Sequence, residues 1–269
     1  KPVQFFSIIA GNFKLKEETK NGMTIRLAGY MDLGPGGDQL LKVAPGIVGY
    51  YEKVLGHFPF KELNLVDIKY PGVGQAPPGL IFLGTEAFHP IDNTTMRIYA
   101  AGRVNRLVAH EISHQYWGQV VKMWSAEDQW LTEGFAEYSS LLAVMNMKHK
   151  GQAEYDKTVA DWFLDASVAT KYAPLALANY LSPDSPNSVD WRYRNDLLYS
   201  KGACLLYRLH RDLGDADFLR FLRSYQKSLA WQPSTTLHVP ILIKALTGKD
   251  ETKLFDECYW GMAMPARKP

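Results

Sequence analysis

Apolar and polar side chains alternate near the start of the chain, as they do in strands with one buried face. The alternation over residues 1–31 is interrupted by two turn signals, Gly11-Asn12 and Asn21-Gly22, and it predicts the strands of a short hairpin. From Gln39 to about His57 the apolar residues instead recur at helical spacing. This second pattern predicts a helix with a kink or restart at Pro45.

Strand-like patterns end before the middle of the chain, and helical patterns replace them. A glycine- and proline-rich stretch at 34–37 predicts a break, Leu63–Tyr70 and Leu80–Leu83 predict strands, and Pro71–Gly79 predicts a loop. The turn-rich stretch 181–188 predicts a loop between two blocks of helices. A strand-rich front followed by a helical back predicts an α+β fold with a small mixed sheet, rather than a repeated βαβ unit. The predicted helices cover residues 103–119, 127–147, 151–170, 196–213, 215–229, 236–247 and 251–260.

The composition excludes some classes of protein and partner but does not identify a function. Among 269 residues, 46% are hydrophobic and 22% are charged, which are ordinary values for a globular protein. The net charge of +2 favours neither nucleic acid nor an anionic membrane as a partner. Since no apolar run approaches the roughly 18 residues of a spanning helix, we expect no membrane-spanning segment. The chain begins at Lys1, and we expect it to be part of a longer polypeptide.

The chain has two cysteines, Cys204 and Cys258, and they lie far apart in the sequence. Neither belongs to a metal-binding or redox pair, so we expect buried thiols, and a single disulfide stays open. The cysteines therefore do not indicate a cellular compartment.

The strongest chemical signal lies in two neighbouring helical stretches. His110 and His114 are four residues apart, so on a helix both imidazoles lie on one face and can reach one metal ion. Glu111 lies beside them, and after His114 and a further eighteen residues Glu133 offers a carboxylate as third ligand. Two histidines and one carboxylate leave a coordination position open for water, which is typical of a catalytic zinc site with one ion.

This ligand set predicts hydrolysis. Glu111 would take a proton from the zinc-bound water as general base and later pass it to the leaving amine of a peptide substrate. Glu137 follows Glu133 by one helical turn, and two interpretations stay open for it. It either accepts the outer N–H of a zinc-bound imidazole or is a solvated charge on the helix.

The segment from Val108 to Tyr138 resembles the zinc segment of the M1 family of gluzincin metallopeptidases, the group of aminopeptidase N and leukotriene A4 hydrolase. The downstream run Tyr199-Ser200-Lys201-Gly202-Ala203 is similar to the family's Tyr-x-Lys-Gly-Ala segment. The resemblance implies that Tyr199 stabilises the tetrahedral intermediate by donating its O–H. It also implies a thermolysin-like catalytic domain over residues 36–269, preceded at 1–35 by strands that resemble the end of an N-terminal β-domain.

The sequence departs from this family where its aminopeptidases carry Gly-x-Met-Glu-Asn, whose glutamate binds the free amino group of the substrate. No carboxylate lies between Asp67 and Glu86 here, so the usual anchor for a charged N-terminus is missing. Backbone groups in this region could still pair with an extended peptide. The candidate substrate-binding residues are Gln75, Ala76, Pro77, Pro78 and Gly79.

The resemblance predicts first of all a zinc-dependent aminopeptidase of M1 type. The missing carboxylate keeps a second hypothesis open, an endopeptidase or other zinc hydrolase that acts on N-blocked substrates. A third is a catalytically idle M1-like scaffold for protein interaction. Glu111 argues against idleness, because a scaffold that only binds metal has no chemical need for a residue that is not a ligand.

Overall fold

The structure is a computed structural model that describes residues 6–20, 22–70, 73–89, 101–147, 151–180 and 191–268. The chain forms two compact units: the first comprises Lys1–Gln119 and Ser139–His149, and the second comprises Val120–Tyr138 and Lys150–Pro269. None of the helices in the described residues is long and apolar enough to cross a membrane. The predicted loop at 181–188 lies outside the described residues, and the predicted domain boundary after residue 35 stays a prediction.

Strands occupy the front of the chain and helices dominate its back, so the predicted α+β class is confirmed. The strands are β1 (Lys14–Lys20), β2 (Met23–Gly29), β3 (Glu62–Ile68), β4 (Gly74–Gln75), β5 (Leu80–Gly84), β6 (Lys122–Met123) and β7 (Pro233–Ser234). The α-helices are α1 (Gly34–Leu55), α2 (Ala101–Ser113), α3 (Trp130–Met147), α4 (Gln152–Ala169), α5 (Trp191–Asn195), α6 (Gly202–Leu213), α7 (Asp215–Ser228), α8 (His238–Thr247) and α9 (Thr252–Phe255). Short 3-10 helices cover Thr85–Ala87, Ala126–Gln129 and Leu175–Tyr180, and π-helical segments cover Asp196–Lys201 and Asp256–Trp260.

The first unit is built on a mixed five-stranded sheet in the order β1-β2-β3-β5-β4. The hairpin β1–β2 and the edge pair β4–β5 are antiparallel, while β2, β3 and β5 run parallel. Ile25, Leu65 and Leu83 lie on one face of this sheet and are at most 2% exposed. Because cross-strand partners share a face, Gly74 of β4 lies on that same face opposite Leu83. The predicted small mixed sheet is therefore confirmed, and β4 is a strand that the sequence pattern did not predict.

Helix α1 starts earlier than predicted and is not interrupted. The expected break at 34–37 forms the first turn of α1, because a proline near the start of a helix loses no hydrogen bond. Gly36 allows the helix to approach closely, since a Cβ there would lie 1.8 Å from the carbonyl oxygen of Phe88. Pro45 lies inside this continuous helix, whose buried positions include Leu40, Val43, Ile47 and Tyr51.

In the second unit, helices α3 and α6 approach each other at a pair of glycines. A Cβ on Gly134 would lie 2.9 Å from the Cα of Gly202, and a Cβ on Gly202 would lie 3.0 Å from the Cα of Gly134. Only glycine permits this backbone contact, and it brings the start of α3 next to the segment that precedes α6. Trp130, fully buried at the start of α3, donates its indole N–H to Thr236 Oγ1 at 2.8 Å.

The predicted helix over 196–213 is divided into a π-helical segment and α6, and a lysine ends the π-helical segment. Lys201 is fully buried, and its ammonium group donates a hydrogen bond to the Gly261 carbonyl oxygen at 3.4 Å. Burial lowers the pKa of Lys201 to about 8, and the nearby Cys258 and Cys204 thiols act in the opposite direction. Both cysteines are buried free thiols, as predicted.

Candidate functional site

Helix α2 carries His110 and ends just before His114, and its apolar face fixes it in the first unit. Val108, Ala109 and Ile112 have no exposed surface, so this face belongs to the core. The buried hydroxyl of Tyr51 in α1 donates to the Ala109 carbonyl oxygen at 2.8 Å. Beyond α2, the Trp117 indole N–H donates to Ser139 Oγ at 3.0 Å and so connects this region with the second half of α3. His110 and His114 therefore lie on a tightly packed helix and on the turn that directly follows it.

The chain turns away from helical geometry at His114, so the predicted helix over 103–119 ends early, at Ser113. The His114 N–H still bonds to the His110 carbonyl oxygen at 3.3 Å, and the two imidazoles keep the arrangement expected for one helical turn. Their Nε2 atoms lie 3.1 Å apart. The Nδ1 of His114 lies 3.0 Å from the Trp117 carbonyl oxygen. Because a carbonyl only accepts, Nδ1 of His114 carries the proton. Its Nε2 therefore keeps a free lone pair, on the side of the ring where Nε2 of His110 also lies.

The structure brings the predicted third ligand to the same place. His110, His114 and Glu133 each offer one ligand atom, and these atoms all lie within 4.8 Å of one another. Two imidazole nitrogens bound to one tetrahedral zinc at about 2.0–2.1 Å would be roughly 3.3 Å apart, close to the spacing observed here. The donor set, two nitrogens and one carboxylate oxygen, is also one that zinc prefers. The residues therefore fit a zinc ion.

Glu111 is buried, and its position depends on a glycine of the edge strand. A Cβ built on Gly74 would lie 2.1 Å from Glu111 Oε1 and 2.5 Å from its carboxyl carbon. The carboxylate is thus seated directly against the backbone of β4, and any side chain at position 74 would displace it. This contact between α2 and β4 determines where the predicted base lies.

Two glutamines attach the loop after β4 to the segment that follows α2. Gln115 accepts from the Gly79 N–H at 2.8 Å through Oε1 and donates to the Pro77 carbonyl oxygen at 3.1 Å through Nε2. Gln119 donates to the Ala76 carbonyl oxygen at 2.9 Å. Both side chains are buried, so these are well-shielded bonds that hold the loop in one conformation.

These bonds change how the predicted substrate-binding segment can act. Three of its backbone groups, on Ala76, Pro77 and Gly79, are engaged within the protein, and Pro77 is buried rather than exposed. Pro78 is half-buried, whereas Gln75 is exposed in β4 at the edge of the sheet. An extended peptide can add to such an edge as a further strand. Substrate binding by this segment stays a prediction.

Glu137 is buried, so the interpretation as a solvated helix charge is wrong. Its Oε1 accepts a hydrogen bond from the Trp162 indole N–H at 2.9 Å. The outer nitrogen of His114 is held by a backbone carbonyl, as described above. The role of Glu137 in orienting a histidine stays a prediction.

Tyr199 is half-buried in the π-helical segment Asp196–Lys201. π-Helical turns within α-helices are rare and frequently occur at functional sites. Arg194 lies nearby: burial lowers the pKa of its guanidinium, and the groups of Tyr199 and Glu133 act in the opposite direction. Arg194 also donates to Gln129 Oε1 at 2.9 Å. Tyr199 and Glu133 therefore lie within electrostatic range of one arginine.

Several residues of this site were missed by reasoning from the sequence. Gly74 belongs to a loop prediction rich in glycine, so nothing distinguished it from its neighbours. Gln115 and Gln119 are polar residues four apart, and that spacing on a predicted helix was the available signal that they share a face. Arg194 had no signal, because the contacts that place it near Glu133 and Gln129 join residues far apart in the sequence.

A comparison with protein families finds a match to a model described as the Peptidase family M1 domain over residues 42–256. Among curated proteins, endoplasmic reticulum aminopeptidase 2 of Homo sapiens is 26% identical over 84% of this chain and 23% of its own length. Thyrotropin-releasing hormone-degrading ectoenzyme of Rattus norvegicus is 28% identical over 80% of this chain and 20% of its length. Probable aminopeptidase 2 of Sulfurisphaera tokodaii is 27% identical over 72% of this chain and 25% of its length. The chain thus spans about a quarter or less of these relatives.

Among solved structures, an M1 zinc metallopeptidase from Deinococcus radiodurans superposes with a TM-score of 0.68. The identity is 21%, and the match covers 95% of this chain and 54% of that one. A mutant of that metallopeptidase with a bound Tyr-Ser-Ala substrate has the same TM-score at 20% identity. At these identities the likeness establishes the fold, which agrees with the α+β class predicted from the sequence.

Proposed function

This chain belongs to peptidase family M1, and we therefore propose that it hydrolyses peptide bonds as a zinc-dependent aminopeptidase. One observation carries the proposal: ligand atoms of His110, His114 and Glu133 converge within 4.8 Å, and Glu111 lies next to the first of them in the chain. A structural zinc site has four protein ligands and needs no neighbouring base. The aminopeptidase names of the curated relatives support the same reaction.

The proposed metal site holds one zinc ion through His110, His114 and Glu133. Bound zinc would supply Lewis-acid polarisation of the scissile carbonyl and make water acidic enough to ionise near neutral pH. The protein orients the ligands, because the Trp117 carbonyl oxygen fixes the tautomer of His114 and the packing of α2 holds both imidazoles.

Glu111 is the proposed general base and acid. Its carboxylate accepts the proton that the attacking water loses as the new C–O bond forms at the scissile carbon. It then donates this proton to the amide nitrogen as the C–N bond breaks, so the amine leaves uncharged. Contact with Gly74 limits the movement of the carboxylate between these two steps.

Tyr199 is the proposed donor to the oxyanion that develops on the carbonyl oxygen. A neutral phenol can donate such a hydrogen bond at pH 7. The approach of Gly202 to Gly134 holds the Tyr199 segment against the start of α3, where Glu133 is located. Glu137 follows Glu133 by one turn of α3 and accepts a hydrogen bond from Trp162. We propose that it helps to orient a zinc-bound histidine.

We predict that Gly74→Ala lowers kcat by about 10²-fold without loss of zinc. The added methyl would meet Glu111 Oε1 at 2.1 Å, so the carboxylate must move, and a displacement of about 1 Å can cost that much. Steady-state kinetics with metal analysis measures both effects. Gly46→Ala is the matched control, because its Cβ would meet one atom within 4 Å, at 3.9 Å. Wild-type kcat in Gly74→Ala would contradict the proposed position of the base.

Whether the site prefers a substrate with a free N-terminus can be tested separately. No carboxylate lies between Asp67 and Glu86, so we expect a free α-amine to raise kcat/KM over the matched N-acetyl substrate by only about two- to tenfold. A dedicated carboxylate anchor contributes about 1.5–3 kcal/mol, which corresponds to a preference of tenfold or more. The measurement compares an aminoacyl p-nitroanilide with its N-acetyl counterpart, and comparable rates would favour the endopeptidase hypothesis.

A preference above about 100-fold would mean that another acid binds the amine. Glu86 is the first acid downstream, but its carboxylate lies against Gly84, within 2.6 Å of an added Cβ. Gly84 follows Leu83 in β5 and faces the opposite side of the sheet from Gly74 and Glu111. We therefore expect Glu86→Gln to leave the ratio between the two substrates unchanged. An idle scaffold would hydrolyse neither substrate while still binding zinc.

A further inference from the structure

A cavity of about 380 Å³ lies within the first unit, between α1 and the turns that lead into β2 and β3. Its volume is in the range of sites that take small molecules. The floor is apolar, because Ile25, Val48 and Phe58 line it and are each at most 4% exposed. An apolar floor favours an apolar occupant, since contact with it releases water from both surfaces.

Two glycines line this cavity. Gly46 and Gly49 line it and lie in the interior of α1, where a glycine makes the helix less stable than an alanine would. Neither is required by close packing: a Cβ on Gly49 would meet nothing within 4 Å, and one on Gly46 would meet Met147 Cε at 3.9 Å. Gly36 in the same helix differs, because a backbone oxygen occupies the space of its missing side chain. Gly46 and Gly49 thus leave space over the apolar floor.

Lysines surround the opening. Lys20, Lys42 and Lys61 line the cavity and are exposed, and none of their ammonium groups makes a hydrogen bond or ion pair with a residue that the structure describes. Two acids also line it. They are Glu18 and Glu52, and Glu52 also accepts from Phe58 N–H at 3.0 Å, so three lysines face two carboxylates. The rim therefore offers more positive than negative charge to an incoming group.

We propose that this cavity binds a small amphipathic anion, an unbranched alkyl chain that ends in a carboxylate. The alkyl chain would cover the floor beside Gly46 and Gly49, and the carboxylate would lie among Lys20, Lys42 and Lys61. This site is separate from the proposed peptidase site, since its lining residues fall between 18 and 61 and include none of the catalytic candidates.

Calorimetric titration with hexanoate, octanoate and decanoate, below their micelle concentrations, tests the proposal. We expect saturable binding that tightens about fourfold per added methylene until the cavity is full. Octanoate should bind more tightly than octanol or octylammonium, and its affinity should fall as salt rises. No saturable binding, or equal binding of octylammonium, would overturn the proposal. Binding to anionic vesicles without binding of monomers would also overturn it.

Substitutions inside the cavity give a second, independent readout. Gly49→Leu should weaken octanoate binding at least tenfold, because the leucine side chain extends into the cavity, whereas Gly49→Ala should bind almost as tightly as wild type. Both variants should unfold at or above the wild-type Tm, because each replaces a mid-helix glycine. Wild-type affinity in a folded Gly49→Leu protein would overturn the proposal.

Charge at the rim is tested by Lys42→Gln and Lys61→Gln. Each should weaken octanoate binding about two- to fivefold, as expected for exposed ion pairs, and leave octanol binding unchanged. Lys227→Gln is the matched control, since Lys227 is exposed in α7 of the second unit. Equal octanoate affinity in all three variants would overturn the placement of the carboxylate. Peptidase activity should be the same in every variant of this series.

Discussion

Replacing Glu111 with glutamine is expected to lower kcat by about 10²–10⁴-fold while the zinc content stays at the wild-type level. This magnitude is typical for a group that transfers protons in the transition state. Glutamine has nearly the same shape, so it should occupy the same place against Gly74. Its amide cannot accept the proton from the attacking water, and the ligands His110 and His114 are unchanged. The variant therefore removes the chemistry and keeps the metal.

The measurement pairs steady-state kinetics on a peptide substrate with metal analysis of the same preparation. Glu257→Gln is a suitable control, because Glu257 is an exposed residue whose carboxylate lies 3.6 Å from Lys253 Nζ. Glu257→Gln should have the kcat and the zinc content of wild type. Equal activity of Glu111→Gln and wild type would remove Glu111 from the mechanism, and loss of zinc in Glu111→Gln would give it a role in binding the metal.

His114→Ala is expected to weaken zinc binding by more than about 10²-fold and to remove hydrolysis at stoichiometric zinc. Loss of a residue that merely orients a ligand already costs about 10–100-fold in affinity, so loss of the ligand itself should cost more. The two imidazole nitrogens lie 3.1 Å apart, and without one of them only His110 and Glu133 would hold the ion. His114 is half-buried, so the truncation leaves the core of α2 intact.

Competition with a chromogenic zinc chelator measures the affinity, and circular dichroism checks the fold. His57→Ala is the matched control, because the His57 side chain is 90% exposed and lies 3.2 Å from Glu52 Oε1, not at the proposed metal site. It should retain zinc and activity. Tight binding of one zinc ion per molecule by His114→Ala would show that the ion is held elsewhere. Recovery of hydrolysis in excess zinc would support weakened binding rather than misfolding.

Much of the fold was predictable because its signals are local. The alternation before residue 31 and the helical spacing after Gln39 reflect which side chains face the core, and both patterns matched elements of the structure. Where the predictions erred, a local signal was ambiguous. Pro45 was expected to kink or restart a helix that is continuous, and the stretch at 34–37 was expected to break the chain where α1 begins. Both residue types interrupt helices in some positions and start them in others.

In the candidate site, too, the residues with local signals were predictable and the distant contacts were not. His110, Glu111 and His114 are close in sequence, so their common face follows from helix geometry alone. Glu133 is distant: its spacing from His114 made it a candidate ligand, but only the structure brought its carboxylate within 4.8 Å of a ring nitrogen of each histidine. The end of α2 at Ser113 could not be predicted, because the turn after it depends on hydrogen bonds such as that from His114 to the Trp117 carbonyl oxygen.

Local patterns in the chain were enough to give the α+β class and to predict His110 and His114 as metal ligands with Glu111 as the adjacent base; the family resemblance added the missing carboxylate before α2. The folded protein was needed to show that Gly74 seats Glu111, that Gln115 and Gln119 hold the loop after β4, and that a cavity opens beside Gly49. The difference lies in the range of the interactions. Periodicity and motif spacing act over one or two helical turns, whereas these contacts join residues that come together only when separate elements pack.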